Sequence, residues 1–168
     1  MIAENLQILR NRIDQICSKV NRDSKSVKLI VVSKSFGVDE IKQSIQAGQN
    51  EFGENKAQEL VAKFDVLGNQ VIWHFIGHLQ KNKVKYAVRT ADYIHSVDSL
   101  SLAEEIQKHA EKLVKTQKIL IEVKTTQIGM CNCICYYTYN FKFNGTGENY
   151  KYKVTVDDFL KFTGEIKP

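Results

Sequence analysis

Four short runs rich in β-branched and aromatic residues, KLIVVSK (28–34), VIWHFIG (71–77), YIHSV (93–97) and KILIEVK (118–124), and one brief extended stretch, NEFGEN (50–55), punctuate the first three quarters of the chain. Between them lie stretches with helical spacing. The opening segment places Ile2, Leu6, Leu9, Ile13, Ile16 and Val20 three or four residues apart, which predicts one apolar helix face. VDEIKQSIQAG and KAQELVAKFDVLG each end on a glycine, Gly48 and Gly68, where a helix would stop. QKNKVKYAVRTA and DSLSLAEEIQKHAEKLVKT complete the set. The last carries Leu102, Ile106 and Leu113 on one face and Asp98 or Ser99 as its cap. Links this short between apolar strands and helices predict repeated βα units, a parallel sheet covered by helices. Either a doubly wound sheet or a (β/α) barrel satisfies the pattern, and both collect their chemistry at the C-terminal ends of the strands.

The unusual residues fall at those ends. Lys34 closes the first run, Asn55 the second, His78 follows Gly77 after the third, and Ser96 and Asp98 close the fourth. Each has a plainer reading. A strand-end lysine can carry its charge to water on a flexible stem. Asn55 can cap the next helix, as can Asp98 or Ser99. His74 reads as a hydrogen-bonded core histidine. Convergence on one mouth is what separate plain readings do not explain. No G-x-G-x-x-G follows the first strand, and there is no Walker loop and no H-E-x-x-H. A lysine amine in such a mouth, desolvated or beside another cation, loses its proton more readily and adds to an aldehyde as a Schiff base. Pyridoxal 5′-phosphate (PLP) is the commonest cofactor held in this way, but the residues alone do not choose the aldehyde.

Composition narrows the class. The 168 residues are 43% hydrophobic and 26% charged, ordinary for one globular domain, and no apolar run has the length of a membrane span. The N-terminus lacks the pattern of a signal peptide, so the expectation is a soluble cytoplasmic protein without a membrane partner. The net charge of +5 is spread along the chain. Lys81, Lys83, Lys85 and Arg89 read as a solvated helix face rather than a nucleic-acid surface. Cys131, Cys133 and Cys135 lack zinc-ligand spacing, so no metal is expected.

VVSKSFGVDEIKQSIQAGQNEFGENKAQEL, WHFIGHLQKNKVK and IHSVDS, at their spacing here, closely resemble the pyridoxal phosphate homeostasis proteins, the YggS or proline synthase co-transcribed family. The resemblance covers residues 1–126. It implies the N-terminal barrel of alanine racemase type, with PLP held as a Schiff base on Lys34, Asn55 against the cofactor, and His78 on the rim of the site. The implied role is PLP homeostasis without turnover, with PLP-dependent apoenzymes as recipients. A racemase or decarboxylase of the same fold is the alternative, and would need a second acid/base group opposite Lys34. A truncated, non-functional product is a third.

Beyond residue 126 the pattern breaks. Residues 127–168 hold three of the four cysteines, five of the seven tyrosines and one leucine, Leu160. An insertion at 127–147 fits this shift, with the family pattern resuming toward a helix near Val156 or Asp157. FKFNGTGENYKYKV instead has the alternation and Asn-Gly turn of a hairpin. A closed barrel has eight strands and about 250 residues, so five visible strands predict a partial barrel. The strands not seen are those that would grip the phosphate.

Overall fold

The computed structural model describes residues 1–121, 137–139, 150–156 and 160–166. Helices and strands alternate through the first 121: α1 (Ile2–Lys19), β1 (Val31–Val32), α2 (Val38–Gln46), β2 (Glu51–Glu54), α3 (Ala57–Leu67), β3 (Ile72–Phe75), α4 (Val84–Thr90), β4 (Tyr93–Val97), α5 (Leu100–Lys112) and β5 (Lys118–Ile121). A 3-10 turn at Lys81–Lys83 leads into α4. β1 is shorter than the apolar run suggested, and Lys34 lies past its end in a turn.

The strands are hydrogen-bonded in the order β1-β2-β3-β4-β5, all parallel, with β6 (Tyr137–Tyr139) antiparallel to β5. A doubly wound sheet reverses its strand order at a switch point. This sheet never does so, and each helix packs on the next, α1 on α2 through α4 on α5. The architecture is therefore a section of (β/α) barrel wall, as expected. The predicted helix near Val156 or Asp157 is not found: Leu160–Ile166 is a strand, β8, paired antiparallel with β7 (Tyr150–Val156). The Asn-Gly turn expected at Asn144-Gly145 lies outside the described residues. Alternating β-branched and aromatic residues in YKYKVTV account for strand rather than helix. The three clustered cysteines and most of the proposed insertion at 127–147 lie outside the described residues.

Alternation along each strand divides its residues between two faces. Phe52, Trp73, Phe75, Ile94 and Ile119 enter one core with Leu60, Leu67, Val84, Val88, Leu102 and Ile106 from the helices. Gly48 and Gly68 follow α2 and α3 with φ of 79° and 55°, so both helices end where glycine relieves the left-handed conformation. The stripe predicted on α1 is only partly buried. Leu6 and Cys17 are covered, but Leu9, Ile16 and Val20 are 47%, 53% and 64% exposed. α1 packs on α2 and on the 3-10 turn at Ser24–Ser26, which leaves these three side chains uncovered. Leu113, expected on the buried face of α5, caps that helix and is likewise exposed.

Trp73 is fully buried and donates its indole N–H to Gly68 O at 3.1 Å. Trp73→Ala should cost about 3–5 kcal/mol, read as a lowered midpoint in urea unfolding.

Candidate functional site

The turn that carries Lys34 is tight. Ser33 O accepts from Phe36 N at 3.0 Å, and Ser35 sits at φ 68°, a left-handed conformation uncommon for a residue with a side chain. Lys34 is the first residue inside this turn and is exposed. The turn is tied to the sheet by Ser33 N donating to Gly53 O at 3.0 Å. Beneath it lies a buried polar cluster. Lys63 Nζ donates to Glu54 Oε1 at 2.5 Å and to Ser33 O at 2.8 Å, and Ser33 Oγ donates to Glu54 Oε1 at 2.7 Å. Glu54 is fully buried, and its Oε2 has no hydrogen-bond partner among the described residues. On the turn's outer side, Lys56 and the Ser35 backbone amide hold the Glu59 carboxyl below its usual range.

Asn55 follows β2 directly. It does not cap α3: Lys56 occupies the cap position, and no side-chain cap bond forms. Its Oδ1 is buried and unpartnered among the described residues. Gly77 packs on its backbone so closely that a Cβ there would stand 2.2 Å from Asn55 O. Gly77 O accepts from Ser96 Oγ, so the ends of β2, β3 and β4 form one connected rim. His78 projects from that rim, 73% exposed, with Nδ1 3.7 Å from Asp98 Oδ2. Asp98 thus turns toward His78, while Ser99 takes the α5 cap position without a side-chain cap bond. Lys34, Asn55, His78, Ser96 and Asp98 therefore all lie at C-terminal strand ends. The described contacts join Asn55, His78, Ser96 and Asp98 into that rim. Lys34 reaches it only through the backbone of β1 and β2. The burial that would desolvate its amine is not supplied by the described residues.

Deeper on the same open face runs a second polar line. Lys28 Nζ meets Glu51 Oε1 at 2.8 Å, Glu51 Oε2 meets His74 Nε2 at 3.0 Å, and His74 Nδ1 meets His95 Nε2 at 2.9 Å. Tyr93 stacks on His74 with ring centroids 4.7 Å apart. His74 is thus the hydrogen-bonded buried histidine that its strand position suggested. Burial lowers its pKa against the opposing pull of Glu51. Burial, helped by His74, pushes His95 down to about 4. Glu51, His95 and the Glu54–Lys63 pair were not anticipated. The available signal for the first two was a polar residue sharing strand parity with each: Glu51 in β2, His74 in β3, and Tyr93 and His95 in β4. A cavity of about 320 Å³ opens at the other end of the sheet beside α1, but its Arg10 is engaged by Ala47 O and Gly48 O, the C-terminal carbonyls of α2.

Residues 5–131 match the family model for the alanine racemase N-terminal domain. The chain is 40% identical over 122 residues to the pyridoxal phosphate homeostasis protein of Aquifex aeolicus, covering 72% of this chain and 54% of that one. It is 34% identical over 126 residues to the Escherichia coli protein of the same name, covering 73% and 54%. Among solved structures, PipY of Synechococcus elongatus with PLP bound superposes with a TM-score of 0.64 at 40% identity, covering 74% of this chain and 55% of PipY. The chain spans about half the length of the curated relatives it matches.

Two outcomes follow from this geometry. Gly77→Ala should push the β3 rim off Asn55, costing about 1–3 kcal/mol in denaturant unfolding. The histidine pair should make stability pH-dependent. Below the ordinary histidine pKa of 6.5 the unfolded chain takes up protons that folded His74 and His95 refuse, so stability is full above about pH 6.5 and falls toward pH 4. With both rings partly shielded, the loss should be on the order of 1–2 kcal/mol, reduced in His95→Gln, where only the His74 contribution remains, and measured as melting temperature against pH.

Proposed function

Because the chain belongs to the alanine racemase N-terminal domain family, and within it to the pyridoxal phosphate homeostasis proteins, we propose that it binds PLP at the C-terminal ends of β1 to β4 and serves PLP homeostasis inside the cell. Lys34 is the point of covalent attachment, Asn55 lies against the cofactor, and His78 lines the rim. The observation that carries this reading is the juxtaposition at one sheet end of an exposed lysine on a tight turn and a buried asparagine oxygen lacking a partner. A buried carbonyl oxygen without a donor is costly, so a ligand donor at Asn55 Oδ1 would relieve a deficit present in the described residues.

The chemistry that PLP supplies when bound is a reactive aldehyde beside an electron-withdrawing ring. The residues of this chain do the rest. Lys34 would hold the cofactor through its unprotonated amine, the nucleophile suited to an aldehyde. The turn fixes where that amine is presented. Gly77 lets the β3 rim close on Asn55, which sets the Asn55 oxygen at the floor of the mouth. His78 and Asp98 stand at the edge, where a proton can be exchanged with water. The function is to hold and release the aldehyde rather than to turn over amino acids, with PLP-dependent apoenzymes as recipients. Racemisation or decarboxylation requires a placed acid and base on the two sides of a substrate carbon.

Titration with PLP should produce a visible absorbance band that is absent in Lys34→Ala and in Lys34→Arg, since only a primary amine can condense with the aldehyde. Amino acids added to the loaded chain should racemise no faster than with free PLP. An unchanged band in Lys34→Ala would refute the assignment of the lysine. Catalysis lost in that variant would refute the carrier role.

A further inference from the structure

The Glu54–Lys63 pair has a placement that core stability does not explain. Burying two charges has a large desolvation cost, and well-packed apolar residues in their place are often as stable or more so. Here both side chains are nearly inaccessible, Glu54 at 0% and Lys63 at 7% exposure. They close on one backbone atom, Ser33 O. That oxygen has two acceptor positions, and both are occupied: one by Phe36 N, which closes the turn, and one by Lys63 Nζ at 2.8 Å. The Ser33 hydroxyl returns to Glu54 Oε1, so the side chain, carbonyl and amide of Ser33 are all fixed. The next residue is Lys34. The turn it begins holds Ser35 in a left-handed conformation, which for a residue other than glycine persists where its surroundings enforce it.

We infer that Ser33, Glu54 and Lys63 are positioning residues for Lys34: a buried charged clamp that holds the start of a strained turn, so that the amine is presented in one orientation at the mouth. The clamp is charged because a single ammonium can both neutralise Glu54 and donate to a carbonyl, which no apolar pair can do. This inference rests on the reading of Lys34 as the attachment point, and it adds three residues on the helix-facing side of the sheet that never touch the cofactor. Lys63, on the second turn of α3, thereby couples the helix after β2 to the loop after β1.

The test uses the full chain with two variants, Ser33→Ala and the charge-neutral double variant Glu54→Gln/Lys63→Met, with Arg89→Ala as a control that breaks only the exposed 3.2 Å contact with Asp65. Two readouts are taken: amide hydrogen exchange of residues 33–36 without cofactor, and PLP affinity followed by absorbance. Loss of one ordinary hydrogen bond corresponds to roughly a fivefold change in an equilibrium constant. Ser33→Ala should therefore speed exchange at 33–36 and weaken PLP binding by about that factor, the double variant by more, and the control by neither. Native exchange and affinity in Ser33→Ala would overturn the inference, and this variant alone decides if the double variant does not fold. Faster exchange with unchanged PLP affinity would reduce the cluster to a structural brace and overturn it as well. If the native chain takes up no PLP on Lys34, the proposed function fails, and exchange alone still decides the clamp, an unchanged rate overturning it.

Discussion

Strand alternation sends Phe52, Trp73, Phe75 and Ile94 toward the helices and Glu51, His74 and Tyr93 to the open face. Parallel strands in sequential order keep that division in step from β1 to β5. One face is therefore given mainly to packing, interrupted by the buried Ser33–Glu54–Lys63 cluster. The other is free to carry polar residues, which meet across neighbouring strands because their register is shared. The Lys28–Glu51–His74–His95 line is the direct product of that register: His74 stands opposite Gly53 on one side and Tyr93 on the other. Continued past the strand ends, the same alternation assigns Lys34, Asn55 and His78 to the open face, with Ser33 and Glu54 behind them.

Two kinds of polar burial result, with different energetics. The two rings at the centre of the histidine line resist protonation chiefly because they are buried, and His74 adds to the effect on His95. The line tolerates burial by hydrogen bonding rather than by charge. The Glu54–Lys63 pair is the opposite case, an ion pair whose geometry must be good because both desolvation penalties are incurred. Its extra bonds to Ser33 use acceptor and donor capacity that would otherwise go unmet. Among the described residues, Glu54 Oε2 and Asn55 Oδ1 are left unpartnered near the C-terminal end of β2, as is Gln117 Oε1 just before β5.

Much of the scaffold was legible in the residues. Short apolar runs separated by three-to-four spacing marked the five parallel strands and five helices among the described residues, and the glycines after α2 and α3 marked their ends. The strand-end positions of Lys34, Asn55 and His78 were legible, because each falls at or just past the end of a predicted strand. What escaped was set by tertiary contact. Nothing local distinguishes Lys63 from any other lysine on α3, since its partner lies nine residues back in a different element. Leu9, Ile16 and Val20 fit a helical stripe perfectly well, but periodicity reports which residues share a face and not whether a neighbour covers it. The helix expected near Val156 or Asp157 rests on the family pattern resuming there, and the pairing of Leu160–Ile166 with Tyr150–Val156 puts a strand in its place.

The central claim is that one lysine among many is singled out by the turn that presents it. The direct measurement is reduction of the PLP-loaded chain with borohydride, followed by proteolysis and mass spectrometric mapping of every lysine. The account predicts that the pyridoxyl group is found on Lys34 at close to one per chain, with exposed Lys25, Lys81 and Lys85 essentially unmodified. A label spread over the exposed lysines, or concentrated on any residue other than Lys34, would contradict it.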